Sequence, residues 1–260
     1  MGPVATAFWR LTLALLPIAF IYSREHIEPG GRRRPERRMD YVVVAAPGLL
    51  LAADLAAWHL SLHMTSVANS TLLVNLAPIF VTLFSWLVLG QRISAGFLLG
   101  LAVAIAGTIV LKGGVSGLRG SALGGDGMAV LAAAFYAGYI LLLGKARRVY
   151  STTSIMLWST VSAGVCTGLL AWFAEPSLLP WSIAGWLTLL GLAWISQAGG
   201  QSLITFALAW LPATLSSLTL LIQPVVASLL AWLLLNEPLT GSQIAGGFIV
   251  IGGIALARRG

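Results

Sequence analysis

Apolar residues run through this chain in blocks of about 20, separated by short polar or basic junctions. Nine such blocks predict nine helices: 4–23, 41–62, 66–89, 94–112, 124–145, 152–174, 182–206, 212–235 and 240–257. A helix of about 20 apolar residues is what crossing a bilayer core requires, because every backbone polar group must bond within the segment. The pattern also repeats. Residues 70–113 and 216–259 are the same segment written twice at a constant offset of 146, without a gap. Pro78 answers Pro224, Trp86 answers Trp232, Gly100 answers Gly246, Gly107 answers Gly253 and Lys112 answers Arg258.

Composition agrees with a lipid environment: 58% of the 260 residues are hydrophobic and 9% are charged, against about 25% charged in soluble domains. Outside the blocks the longest stretch is 24–40, too short for a soluble domain. The single cysteine, Cys166, excludes a disulfide framework and a cysteine metal site. The basic balance does not point to nucleic acid, since the cations sit at helix ends. Alternation sorts them into Arg24, Arg32, Arg33, Arg34, Arg37, Arg38, Arg92, Lys145, Arg147, Arg148, Arg258 and Arg259 on one side, against Lys112 and Arg119 on the other. This bias of 12 to 2 predicts that the first side is cytoplasmic and the C-terminus inside.

The span 152–174 resembles 4–23, with Phe8-Trp9 facing Leu157-Trp158, whereas 124–145 has no counterpart ahead of residue 4. The expectation is therefore an all-α polytopic membrane protein with nine of ten helices present, a truncated or mis-started form of a five-plus-five arrangement. Residues 1–113 form the first repeat, 114–123 an external linker and 124–260 the second repeat. An odd number of helices per repeat forces the copies to enter the membrane from opposite sides. The connectors agree, for Gln91-Arg92 becomes Glu237-Pro238 while the apolar frame persists. Inverted repeats of this kind belong to secondary transporters.

Candidate chemistry is sparse. Asp54 is the only acid deep within a span, where an ionised carboxylate costs at least ~3 kcal/mol on insertion scales. It reads as a proton-coupling site, an amine ligand or a hydrogen-bonded structural carboxyl. Trp58 and His59 extend its polar stripe, and His63 follows one turn later. A zinc site would need two further ligands, so no metal is expected. Arg10 either snorkels to the headgroups or meets a carboxylate. Asn69, Ser70, Asn75, Gln197, Gln201 and Gln223 are hydrogen-bonding groups in apolar surroundings. Trp9, Trp58, Trp158, Trp194, Tyr136 and Tyr139 could wall a pocket, while Trp172, Trp181 and Trp186 read as interface-belt residues. Pro78 and Pro224 are matched mid-span breaks, read as a hinge or gate or as packing kinks alone. Gly96, Gly100, Gly246 and Gly253 form small-residue faces for helix packing, within the bundle or against a second subunit.

The stretch from Asp54 to Pro78 resembles the third-to-fourth helix signature of the drug/metabolite transporter superfamily. The turns Leu89-Gly90-Gln91-Arg92 and Leu235-Asn236-Glu237-Pro238 resemble its "hydrophobic, then Gly/Asn-Glu" element, with Gln91 where a glutamate is commoner. The EamA-type permease is the nearest branch. The resemblance implies ten helices in two inverted repeats around a central cavity, here lined by residues such as Trp9, Asp54, Trp58, Asn75, Tyr139, Trp158 and Gln197. Members export amino acids, metabolites or drugs, and the superfamily includes sugar-nucleotide and triose-phosphate exchangers.

An intramembrane protease would need a second buried acid, and no serine sits in an elbow-like context beside a base. An ion channel would show charged rings or filter motifs. The expectation is thus a secondary-active exporter of a small metabolite such as an amino acid, working by alternating access in a bacterial inner membrane. It would use no cofactor and bind no nucleic acid; its partners would be the lipid bilayer, a small-molecule substrate and protons, as a monomer or homodimer. A multidrug exporter, a passive channel and a non-transporting assembly protein are the alternatives. The substrate positions expected from sequence are Trp9, Asp54, Trp58, His59, Asn75, Tyr139, Trp158, Gln197 and Gln201.

Overall fold

A computed structural model describes residues 1–24, 32–113, 123–180 and 182–259. The linker expected at 114–123, apart from Leu123, lies outside these residues, as do Arg119 and Trp181. The described chain is helical: α1 Pro3–Arg24, α2 Arg38–Met64, α3 Val67–Val74, α4 Ala77–Leu87, α5 Ala95–Leu111, α6 Leu123–Ala146, α7 Thr152–Ala174, α8 Ile183–Gly191, a π-helical segment Leu192–Gly200, α9 Gln201–Ala207, α10 Ala213–Thr219, α11 Ile222–Leu235 and α12 Gly241–Arg259. Extended pairing among these residues is one isolated bridge, Arg33 to Tyr150. Among the described residues seven helical stretches are long and apolar enough to cross a membrane, and α5 is a shorter apolar helix.

Local chemistry sets the helix starts. Ser66, Ser94, Ser151 and Ser182 each stand in extended conformation ahead of a helix, and each hydroxyl accepts a first-turn backbone N–H. At α12 the same task falls to a reciprocal pair. Gln243 N–H donates to the Thr240 hydroxyl, and Thr240 N–H donates to the Gln243 side-chain oxygen. The turns after α4 and α11 also match. Gly90 and Asn236, one repeat apart, both adopt left-handed backbone, with φ of 62° and 54°. Glycine and asparagine are the residues that tolerate that conformation at a helix end.

Three predicted helices are not continuous. The segment 66–89 divides between α3 and α4, and 212–235 divides between α10 and α11, each just ahead of its matched proline. Proline lacks the N–H that would bond the carbonyl four residues back, and its ring crowds that carbonyl. The helix beyond each break starts alike: the Thr82 hydroxyl donates to the Pro78 carbonyl at 2.7 Å, and the Ser228 hydroxyl to the Pro224 carbonyl at 3.0 Å. The third exception is 182–206, which divides into α8, the π-helical segment and α9. Gly199 and Gly200 end that segment, where glycine weakens the ordinary helical register.

The chain packs as two compact units, each drawing helices from both halves of the sequence: residues 1–59 with 138–212, and residues 60–137 with 213–260. In the first, α1 crosses α7, with Leu11 against Gly164 and Phe8 against Gly168. Gly48 of α2 lies directly against the Ser159 carbonyl, where no side chain fits.

In the second unit α5 and α12 run antiparallel in close contact. Gly100 meets Gly253 and Ala257, and Gly107 meets Gly246 and Val250. A Cβ at Gly253 would lie 2.5 Å from the Ala104 nitrogen; one at Gly107 would lie 2.6 Å from the Val250 nitrogen. Exchanging the repeats by 146 positions turns this contact set into itself: Gly246 meets Leu111 and Gly107, while Gly253 meets Ala104 and Gly100. Lipid tails are as apolar as the helices, so backbone-to-backbone packing of small residues supplies the attraction. Gly96, one turn ahead of Gly100, is half-buried.

Candidate functional site

Eight of the nine substrate positions expected from sequence fall in the first unit; Asn75 is in the second. Asn75 ends α3, and its side-chain nitrogen donates to the Thr71 carbonyl at 2.9 Å, so it caps the broken helix.

The centre of the first unit is Asp54, on the inward face of α2 and 7% exposed. The Arg10 guanidinium of α1 is the cation that acts on it. One carboxylate oxygen, Oδ1, has no hydrogen-bond partner among the described residues. Trp58 and buried His59 continue the stripe toward the end of α2, their rings 5.1 Å apart. Gly138 of α6 packs on Leu50, one turn before Asp54. Its neighbour Tyr139 is fully buried. Tyr139 accepts a 2.8 Å hydrogen bond at its hydroxyl from Gln201 Nε2.

Gln197 enters from the π-helical segment, whose Ala193 and Ala198 pack on α1 at Ala14 and Ile18. It is 5% exposed, and its amide nitrogen is buried without a partner. The wider register turns Ala193 and Gln197 inward while Trp194 and Ile195 face out. π-Segments of this kind occur disproportionately at functional sites. Sequence reasoning selected Gln197 and Gln201 but missed the distortion that aims them; the Gly199-Gly200 pair just beyond Gln197 was the available signal.

Two further aromatics of the first unit have contacts of their own. Trp9 donates its ring N–H to the Leu178 carbonyl at 2.7 Å and meets Trp186 edge-on at 5.0 Å. It belongs with Glu175, whose carboxylate accepts the backbone N–H groups of Val4 and Ala5 and caps α1. Trp158 meets Tyr41 edge-on at 4.9 Å, and Tyr41 precedes Asp54 by thirteen residues, about 20 Å of helix. Among the described residues no three histidine, cysteine, aspartate or glutamate side chains converge as metal ligands would.

A second polar cluster, at the start of α2, was read from sequence only as topology charge. Arg147 is fully buried, donating from Nη1 to the Tyr150 carbonyl at 2.7 Å and from Nε to the Thr205 carbonyl at 3.2 Å. Arg32 donates in turn to the Arg147 carbonyl. Asp40 accepts the Tyr150 hydroxyl at 2.8 Å, the Glu36 and Arg37 backbone N–H groups, and Arg33 at 3.4 Å. Burial, and then the Asp40 carboxylate, push the Tyr150 phenol above its ordinary value, so at neutral pH it remains a donor. This cluster ties the 32–40 loop to the α6–α7 turn and the end of α9.

The comparisons bear on the whole chain. The model of the EamA-like transporter family matches residues 1–112 and 123–259. The pseudopaline exporter CntI of Pseudomonas aeruginosa is 28% identical over 212 residues, covering 81% of this chain and 73% of its own. A probable terminal-alkyne amino-acid exporter of Streptantibioticus cattleyicolor is 28% identical, covering 99% of this chain and 84% of its own. An uncharacterized transporter of Archaeoglobus fulgidus is 24% identical, over 78% and 72%. A crystal structure with 19% identity superposes at a TM-score of 0.82, covering 99% of this chain and 88% of that one, and shares the fold.

Proposed function

The chain belongs to the EamA-like transporter family, and from that premise we propose that it exports a small amino-acid-like metabolite by alternating access. The observation that carries the reading is the buried Asp54 carboxylate, which feels the charge of Arg10, in a unit that also buries Tyr139 and Gln197. A buried carboxylate oxygen and a buried amide nitrogen without partners are an acceptor and a donor that a ligand would satisfy. A zwitterion meets that demand: its ammonium takes the Asp54 oxygen, and its carboxylate takes Arg10 and the Gln197 amide. The surrounding Trp58, His59 and Tyr139 suit a partly apolar side chain. Two relatives named as exporters, one of an amino acid and one of pseudopaline, support the cargo class.

Asp54 is also the group we assign to proton coupling, since an ionisable residue inside a span is costly unless it serves the transport cycle. The antiparallel, exchange-invariant α5–α12 contact and the matched breaks at Pro78 and Pro224 support two inverted copies that trade conformations. Residues 1–113 and 124–260 are those copies. The 12 to 2 charge bias supports a cytoplasmic C-terminus in a bacterial inner membrane.

The test is export of labelled amino acids from proteoliposomes, with and without a pH gradient, after metabolite profiling of an overexpressing strain has chosen the cargo. The native protein should show saturable flux that responds to the gradient. Asp54→Asn should lose about tenfold or more in gradient-driven flux, the effect of one charge-assisted contact. Native rates with an unchanged pH response in Asp54→Asn would remove the assignment. Non-saturating flux would indicate a channel.

A further inference from the structure

The second unit carries an apolar groove between α4 and α5, of about 660 Å³, that the transport reading does not use. Leu83, Trp86, Ile93 and Leu98 line it, and Gly90, Gln91 and Arg92 close one end. Leu83, Trp86 and Leu98 are 39–58% exposed, so the groove opens outward from the helix pair. Its volume is within the range of pockets that hold small molecules.

The molecule contains its own comparison. A groove of about 240 Å³ between α11 and α12 is built from the equivalent positions, with Leu229, Leu239 and Ile244 answering Leu83, Ile93 and Leu98. The apolar frame is therefore part of the repeat, but the polar end is not. Where the first copy has Gln91-Arg92, the second has Glu237-Pro238. Charge also separates along the antiparallel α5–α12 pair. Arg92 precedes α5, and Arg258 and Arg259 end α12 at that same end, where they border a third apolar groove of about 510 Å³. The opposite end carries one charge of each sign, Lys112 and Glu237, on the lining of a single groove.

We propose that the α4–α5 groove is a binding site for one anionic phospholipid, with an acyl chain along Leu83, Trp86 and Leu98 and the headgroup phosphate on Arg92. A groove this apolar holds hydrocarbon, and a cation at one end selects the charged headgroup. A zwitterionic lipid fills the groove equally well but gains less at the arginine. One arginine near an anionic headgroup is worth about a fivefold preference.

Trp86 makes the site readable. Detergent-purified full-length protein is titrated with phosphatidylglycerol or phosphatidylcholine brominated on the acyl chain, and tryptophan quenching is recorded. The part of the quenching that Trp86→Phe removes reports this groove alone. It should saturate, with phosphatidylglycerol about fivefold tighter. Arg92→Gln should bring the two lipids to near equality, Leu98→Gln should weaken both, and Lys112→Gln should change neither. Equal affinity for both lipids in the native protein, or an unchanged preference in Arg92→Gln, would overturn the proposal. So would displacement of the brominated phosphatidylglycerol by inorganic phosphate at equal concentration, which would assign Arg92 to a free anion.

Discussion

Glycine at 100, 107, 246 and 253 sets the distance between two helix backbones, and no larger side chain fits there. The Ala104 nitrogen stands 2.5 Å from where a Cβ would sit on Gly253, so the helices themselves must move apart. Gly253→Leu should destabilise the protein by about 2 kcal/mol, the range for overpacking a tight contact, lowering the midpoint in a detergent thermal-shift assay by roughly 5 °C. Gly252, one position earlier and facing open space, is the control, and its Ala variant should melt near the native temperature. Arg147 presents the opposite case, a charge whose value lies in what it bonds. Arg147→Met would strip the Tyr150 and Thr205 carbonyls of a buried donor and should cost about 2 kcal/mol, read in the same assay. A midpoint within a degree of native would show that water replaces the guanidinium there. Sequence placed Arg147 at a helix end with its basic neighbours, and composition gives no way to separate a buried cation from an exposed one.

The helices themselves were legible because lipid leaves the backbone one choice, and the described residues of the apolar blocks are largely helical, three blocks in pieces. What sequence did not yield was interruption. The prolines at 78 and 224 marked where two helices weaken, but a bare proline does not distinguish a bend from a division. The matching Thr82 and Ser228 bonds in the helix after each division were invisible until their carbonyl partners were in place. The π-helical segment was less legible still, since its cause is register and its only trace is a glycine pair. The same gap explains the site. Asp54, Tyr139, Gln197 and Gln201 carry polarity that a hydropathy reading finds, whereas the contacts of Trp9 with Leu178 and of Trp158 with Tyr41 needed the packed helices to be seen. If the matched divisions serve as hinges, Pro224→Ala should leave the melting midpoint unchanged or higher while slowing transport severalfold, because a restored N–H favours the joined helix. Full transport rates in that variant would reduce the proline to a packing feature.

At the scale of the whole molecule, one relation organises the chain: a segment written twice, in which the apolar frame is kept and the connector charges change. Within the second unit that relation is a contact set that returns to itself when the copies are exchanged, and antiparallel helices are its local form. Two copies inserted in opposite senses would have related energies in two mirrored conformations, which is the physical basis of a carrier that opens to either side. Arg92 and Glu237 sit at equivalent turns, so they report the two senses directly. In a Cys166→Ser background, single cysteines at positions 92 and 237 should react with a membrane-impermeant maleimide from opposite faces of sealed vesicles, position 92 from the cytoplasmic face. Labelling of both positions from the same face would contradict the account.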